Sequence, residues 1–273
     1  MSDLVLKLPK VPENNPHTLN TKAISGEGIH EHALRLPQLS DLSGVKRHTL
    51  NARIKVGFEE KDIRRTAANQ MVLSPKQVRT LINQELSDTW GKVIYVANLK
   101  GGVGKTTLVY MLAEVFSSFG LKTCAIDLDV QANLTVQFTA ANTKTPVFLD
   151  MIEGKAKITD LPVKINDYLD LIPSSLKNSL IQKALTMQSP KHLLTWFNKL
   201  CLDHLKNTYD VVLVDTPPSL TTLNSVFCLC LSRHDSILIP VAPEEFSIMG
   251  VQMFLDDVLE IRQSYEKTEE INI

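Results

Sequence analysis

The chain has 273 residues, 44% of them hydrophobic, which is enough apolar material for one large domain or a small domain joined to a large one. Charged residues make up 22% and the formal net charge is -1, which excludes collagen-like, low-complexity and strongly polyionic chains. A nucleic-acid partner would have to be met by locally concentrated basic residues. No apolar run approaches the roughly 20 residues that span a bilayer. Residues 1–10 lack the apolar segment and cleavage site of a secretory signal. The expectation is a cytoplasmic protein without a membrane partner. Cys124, Cys201, Cys228 and Cys230 have no metal-ligand spacing and read as reduced, packed thiols.

Residues 1–33 hold Pro9, Pro12 and Pro16 among polar residues without a period, and predict a mobile arm. Residues 34–90 turn helical and read as a small all-α unit. Within them, residues 37–54 have the spacing of a helix-turn-helix. Leu39 and Leu42 face inward on the first helix, Gly44 makes the turn and Val45 plugs it. Residues 46–54 form the second helix, with Leu50 and Ile54 packed. Lys46, Arg47, His48, Thr49, Asn51 and Arg53 are left for solvent or a DNA major groove. Lys61, Arg64 and Arg65 would add phosphate contacts in a wing or following loop. Many helical hairpins share this spacing, so a solvated basic face is the competing reading. Ser74-Pro75 opens another helix, with Ser as N-cap and Pro in the first turn.

The boundary falls near residues 87–91. Residues 1–90 carry 13 Lys+Arg against 10 Asp+Glu, and residues 91–273 carry 16 against 20. From residue 91 onward, apolar strands alternate with amphipathic helices, which predicts a mostly parallel sheet with helices on both faces. Strands are expected at 92–97, 123–128, 168–172, 211–214 and 236–241. Helices are expected at 105–119, 175–185, 190–206, 220–231 and 246–265. In the first of these, Leu108, Leu112, Val115 and Phe119 mark one face, and Gly120 suits the position just past the end. Ile271-Asn272-Ile273 reads as the beginning of another strand, with more chain expected beyond it.

The stretch Lys100-Gly101-Gly102-Val103-Gly104-Lys105-Thr106-Thr107 follows a predicted strand and opens a predicted helix, as a phosphate loop does. Its glycines let backbone N–H groups close around phosphate oxygens, and the helix start adds further donors. Lys105 supplies a charge for the β/γ-phosphates and Thr106 a hydroxyl for Mg²⁺. Leu99 stands where the ordinary G-x-x-x-x-G-K-[ST] loop has glycine, and Lys100 is an added lysine. Residues 123–135 form a strand ending in Asp127 and Asp129. Alone, such a pair reads equally as a solvated strand end. Beside a phosphate loop it is a site. Residues 210–219 form a second apolar strand ending in Asp215, placed for Mg²⁺, with Pro217-Pro218 forcing a turn. A helix cap is the plainer reading of that aspartate.

Residues 100–107 resemble the deviant Walker A family, which includes partition ATPases of the ParA type, MinD and the nitrogenase iron protein. Residues 123–135 are similar to the ParA-type D-x-D-P-Q-[GA]-N-[LA]-T, with Val130 in place of proline. Residues 210–219 carry its D-x-P-P. Residues 239–250 are similar to its V-P-x-x-x-E-[FY]-x-x-x-G, although a plain helix entry fits them as well. The resemblance implies ATP/ADP and Mg²⁺ as ligands. It also implies a homodimer with nucleotide sandwiched between copies, Lys100 reaching across to the partner's nucleotide. Asp129 would activate water and Asp127 would support the Mg²⁺ shell. Lys100, Lys105 and Asp129 become the catalytic set. The larger plasmid ParA proteins carry a helix-turn-helix ahead of the ATPase domain and repress their own operon. The implied partners are thus operator and non-specific DNA, on the nucleoid, and a centromere-binding protein that stimulates hydrolysis. The adenine-contacting strand would lie past Ile273. The alternatives are a MinD-like membrane-site regulator, which needs a C-terminal amphipathic helix, and a nucleotide-sensing transcription regulator with little turnover.

Overall fold

The computed structural model describes residues 33–86, 93–138, 145–186, 190–219, 221–243, 245–267 and 269–273. The arm expected at 1–33, but for its last residue, and the boundary expected at 87–91 lie outside the described residues. The N-terminal unit comprises β1 (Leu34–Arg35), α1 (Leu36–Ser43), α2 (Arg47–Gly57), β2 (Arg64–Arg65), β3 (Met71–Leu73) and α3 (Pro75–Leu86). Gly44, at φ +72°, turns the chain between α1 and α2, as its spacing predicts. The unit is not all-α. Strands β1, β3 and β2 form an antiparallel sheet in that order, with Leu34 opposite Leu73 and Arg65 opposite Met71. Strands of two or three residues carry too short a period to be read from sequence. Leu42 is also displaced from its expected place, being 56% exposed. The inward row of α1 runs through Leu36 and Leu39, and Leu42 lies one position off the i, i+4 continuation at Ser43.

The second unit continues with β4 (Val93–Val96), α4 (Lys105–Ser118), β5 (Thr123–Asp127), α5 (Asn133–Gln137), α6 (Phe148–Ile152), β6 (Val163–Asn166) and β7 (Leu169–Ile172). It ends with α7 (Ile181–Thr186), α8 (Pro190–Phe197), α9 (Asp203–Thr208), β8 (Val211–Asp215), α10 (Thr222–Cys230), β9 (Ser236–Leu238) and α11 (Glu245–Ser264). The helix expected at 190–206 passes through a π turn at Asn198–Leu202, and the one expected at 175–185 opens with a 3₁₀ turn at Leu176–Leu180. The sheet order is β6-β7-β5-β8-β4-β9, parallel except for β6, which pairs antiparallel with β7. Asn272 bridges Ser236 in parallel, where the sequence suggests a further strand.

Alternate residues of the central strands feed two cores. Tyr95, Ile126 and Val214 pack under α6, α8, α10 and α11, whereas Ile94, Val96, Ala125 and Leu213 pack under α4. The α4 seam facing the sheet is Val109, Ala113 and Phe116, one residue off the expected face, with Leu108, Leu112 and Val115 half-buried beside it. This second core runs on without a break into Leu39, Leu50, Ile54, Val78 and Ile82 of the N-terminal unit.

Helix α3 makes the join. Arg79 forms a two-pronged ion pair with Asp210, just ahead of β8, and donates to the Gly120 carbonyl oxygen at 2.7 Å. Asp210 also accepts from the Lys122 amide at 2.7 Å. Gly120 has φ +74°, and a Cβ there would sit 2.2 Å from the Pro75 carbonyl oxygen. Backbone packs on backbone at this point, so only glycine fits. Gly120→Ala should lose about 2 kcal/mol or more in urea unfolding, from left-handed strain plus forced separation of α3. A loss under about 0.5 kcal/mol would show that α3 does not dock this closely.

Candidate nucleotide-binding site

In the register of the sheet, Asp215 of β8 stands between Val96 of β4 and Asp127 of β5. The loop leaving β4 therefore opens beside two carboxylates, at the carboxyl edge where open α/β sheets hold ligands. Gly102 and Gly104 take φ +75° and +87°, and a Cβ added at Gly101, Gly102 or Gly104 would meet nothing within 4 Å. The cradle is open and walled by backbone. Gly104 caps α4, whose first residue is Lys105, so the first free amides of a 14-residue helix face the loop. Val103 and Thr106 are half-buried, and Thr107 is exposed.

Lys105 is buried, and its Nζ donates to the carbonyl oxygens of Asn98 at 3.1 Å and Lys100 at 3.0 Å. Burial pulls its pKa below the ordinary lysine value, against the opposing pull of Asp215 and Asp129. Two neutral carbonyls orient this cation without neutralising it.

The two strand-end carboxylates differ. Asp127 Oδ2 accepts from the amide and hydroxyl of Thr135 at 2.9 and 2.7 Å, and its Oδ1 accepts from the Asp129 amide at 3.1 Å. Thr135 in turn accepts from the Ser174 amide at 2.9 Å. Both Asp127 oxygens are engaged in shaping the 127–135 loop, which holds this carboxylate beside Asp215 in the sheet register. Asp129 is half-buried and folds its Oδ1 onto the Gln131 amide at 2.9 Å. Asp215 is fully buried, and among the described residues no group lies within full hydrogen-bond geometry of its oxygens, the Thr106 hydroxyl being the neighbour that eases its charge. Burial pushes the Asp127 carboxyl to about 6. Asp215 is pushed to about 7, chiefly by burial and further by Asp127 and Asp129, against the pull of Thr106 and Lys105.

These residues fit Mg²⁺. An orphaned buried carboxylate beside a hydroxyl and a phosphate cradle is the sparse protein donor set that this ion takes, the rest being phosphate and water. Among the described residues there is no cluster of three His, Cys, Asp or Glu suited to a dedicated metal cage. Spacing alone did not single out Asn98, which is buried and bonds both to the loop and to the Pro240 carbonyl oxygen. A polar residue closing an apolar strand was its only sign. Glu244 lies outside the described residues.

The residues expected on DNA divide. Lys46, Arg47 and His48 are exposed at the start of α2, with Arg47 Nη2 3.8 Å from Asp41. Thr49 and Asn51 are half-buried. Arg53 instead turns inward and donates to the Leu81 carbonyl oxygen of α3. Arg64 and Arg65 are exposed on the β2–β3 hairpin.

Residues 91–273 match a family described as an AAA domain. An uncharacterised protein, MJECL24, of Methanocaldococcus jannaschii is 38% identical over 63% of this chain and 67% of its own length. The chromosome-partitioning ATPase Soj of Treponema pallidum is 33% identical over 63% and 65%. Among solved structures, a plasmid partition protein of Borrelia burgdorferi bound to AMPPNP superposes with a TM-score of 0.53 at 28% identity, over 63% of this chain and 72% of that one. Cobyrinic acid a,c-diamide synthase of Mycobacterium smegmatis, with an ATP analogue and magnesium, superposes at 0.56 and 26% identity, over 63% and 68%. The chain spans about two thirds of the length of the curated relatives it matches.

A pH dependence follows from Asp215. In the fold it keeps its proton up to about pH 7, whereas the unfolded chain releases it near the ordinary aspartate value of 3.8. The fold binds the extra proton across that window, so this group's contribution to stability falls as pH rises through it. Asp215→Asn removes the dependence. Without Mg²⁺ or nucleotide, the variant should exceed the parent in urea unfolding by about 1 kcal/mol or more at about pH 8, and by much less at about pH 5. A parent that gains on the variant as pH rises would contradict the burial of an uncompensated carboxylate.

Proposed function

Because the chain belongs to the AAA-domain family of ParA-type partition ATPases, we propose that it hydrolyses Mg-ATP as a DNA-partition switch. Two copies close on ATP as a homodimer that holds DNA, and a centromere-binding protein stimulates the hydrolysis that releases it. The observation that carries this reading is the register pair of Asp127 and Asp215 beside an open glycine cradle, with Asp215 fully buried next to the Thr106 hydroxyl.

Each residue has a task. Lys105 leaves the Asn98 and Lys100 carbonyls for the β/γ-phosphates, and the cradle amides of residues 101–107 bind their oxygens. Thr106 and Asp215 hold Mg²⁺, which when bound neutralises phosphate oxygens and stabilises the charge on the transferred group. Asp127 fixes the loop that carries Asp129, and Asp129 orients the attacking water. Lys100 reaches the nucleotide of the second copy. Ile248, Met249 and Met253 are exposed on α11, whose Gly250 lies against Asn98. Such an apolar face beside a shared nucleotide supports a second copy as its cover. The start of α2 and the β2–β3 hairpin form the basic face offered to DNA, for operator binding and autorepression. Arg53 supports that face from beneath.

The test is turnover and assembly of the full chain. Lys105→Ala should abolish Mg-ATP binding in an equilibrium assay, and retained binding would overturn the loop assignment. Asp129→Ala should keep ATP and the light-scattering mass of a dimer but slow phosphate release about 100-fold or more. Unchanged turnover would remove Asp129 from the water.

On DNA, Arg47→Ala should weaken binding and flatten the salt dependence by about 0.9 in log–log slope per lost phosphate contact. Arg53→Ala should instead lower stability by about 1 kcal/mol or more, through an unpaired carbonyl in the α2–α3 contact. A salt slope altered by Arg53→Ala and not by Arg47→Ala would invert this division.

A further inference from the structure

Asn98 is the first polar residue past β4 and is only 2% exposed. A buried side-chain amide is unfavourable unless both its ends are bonded. Both are bonded here. Its Oδ1 accepts from the Lys100 amide at 2.9 Å, and its Nδ2 donates to the Pro240 carbonyl oxygen at 2.9 Å. Its own backbone carbonyl oxygen accepts from Lys105 Nζ at 3.1 Å. One residue thus touches both lysines of the loop and the segment that leads from β9 to α11. Helix α11 passes over it closely, since a Cβ on Gly250 would lie 3.7 Å from Asn98 Oδ1.

The chemistry is specific to asparagine. Lys100 offers a donor and Pro240 an acceptor, so the residue between them must accept at one atom and donate at the other, at short reach. Aspartate keeps the first bond and loses the second. Alanine loses both. The bond to the Lys100 amide sets the direction in which the chain enters Gly101 and Gly102, and hence where the Lys100 side chain starts. The bond to Pro240 ties that direction to the β9–α11 segment. Neither bond is made by the Lys105 side chain or by an amide of residues 101–107.

We infer that Asn98 is a positioning residue that holds Lys100 in register by tying the start of the phosphate loop to the Pro240 segment beside α11. This rests on the reading of the loop as an ATP site, and it adds a residue that acts on Lys100 rather than on phosphate. A residue with this task should alter turnover far more than nucleotide affinity.

The experiment compares the full chain with Asn98→Ala and Asn98→Asp by two readouts. The first is hydrogen exchange of the Lys100 amide without nucleotide. Alanine should speed it about tenfold or more, and aspartate should leave it near the parent value. The second is Mg-ATP affinity against turnover. Alanine should lower kcat about tenfold or more while the dissociation constant stays within about threefold, and aspartate should fall between parent and alanine in kcat. Unchanged exchange and kcat in the alanine variant would overturn the inference. So would parallel loss of affinity, turnover and melting temperature, which marks a residue serving only the fold. If the alanine variant does not fold, the aspartate variant decides, because kcat equal to the parent's would remove the Pro240 tie. A parent chain that binds Mg-ATP without hydrolysing it would defeat the ATPase reading, and Lys100 exchange would then judge Asn98 by itself.

Discussion

One buried ammonium set among buried carboxylates shapes this molecule. Lys105 rests on two backbone carbonyls, and Asp215 lies fully buried at the adjacent strand end. Isolated buried charge is costly, and the group answers by shifting its proton affinity. Both aspartates move up and the lysine moves down, the directions expected of groups driven toward their neutral forms. A divalent cation with a polyphosphate supplies the charges that this arrangement lacks. The left-handed glycines, the helix start and the strand register all serve to bring these groups to one edge.

The same helix that begins at the cradle ends at the N-terminal unit. Lys105 opens α4, and Gly120 just past its end receives Pro75 and Arg79 of α3. The two units share a continuous apolar core and one two-pronged ion pair, Arg79 with Asp210. Asp210 and Asp215 are the two ends of one strand run, so β8 also touches both regions. A basic face built on α2 is therefore fastened to the second unit through a packed helix, and its orientation follows the sheet.

Much of this was legible in the sequence because long elements carry strong periods. The buried run at 211–214 and the loop at 100–107 have few other readings, and Gly44 and Gly120 take the left-handed turns that their places suggest. Strands β1, β2 and β6 were not legible because none of their residues is buried to mark a core face, and β3 because three residues carry no period. The face of α4 came out one residue off because its flanking positions are apolar too. Leu42 was misplaced because an eight-residue helix has only two inward turns. Within the site, residue types announced the lysines and aspartates, but not which carboxylate stays open. That depends on Thr135 reaching Asp127 while Ser174 holds the Thr135 hydroxyl, and on Pro240 reaching Asn98. Arg53 looked like its exposed neighbours until α3 was placed against it.

The most direct measurement is calorimetric titration of the nucleotide-free chain with magnesium and a non-hydrolysable ATP analogue, in buffers of different ionisation enthalpy. If Asp215 gives up its proton to take the metal, binding at about pH 6 should release about one proton, and binding at about pH 8 should release almost none. Tight binding with no proton release at either pH, or no binding at all, would contradict the account.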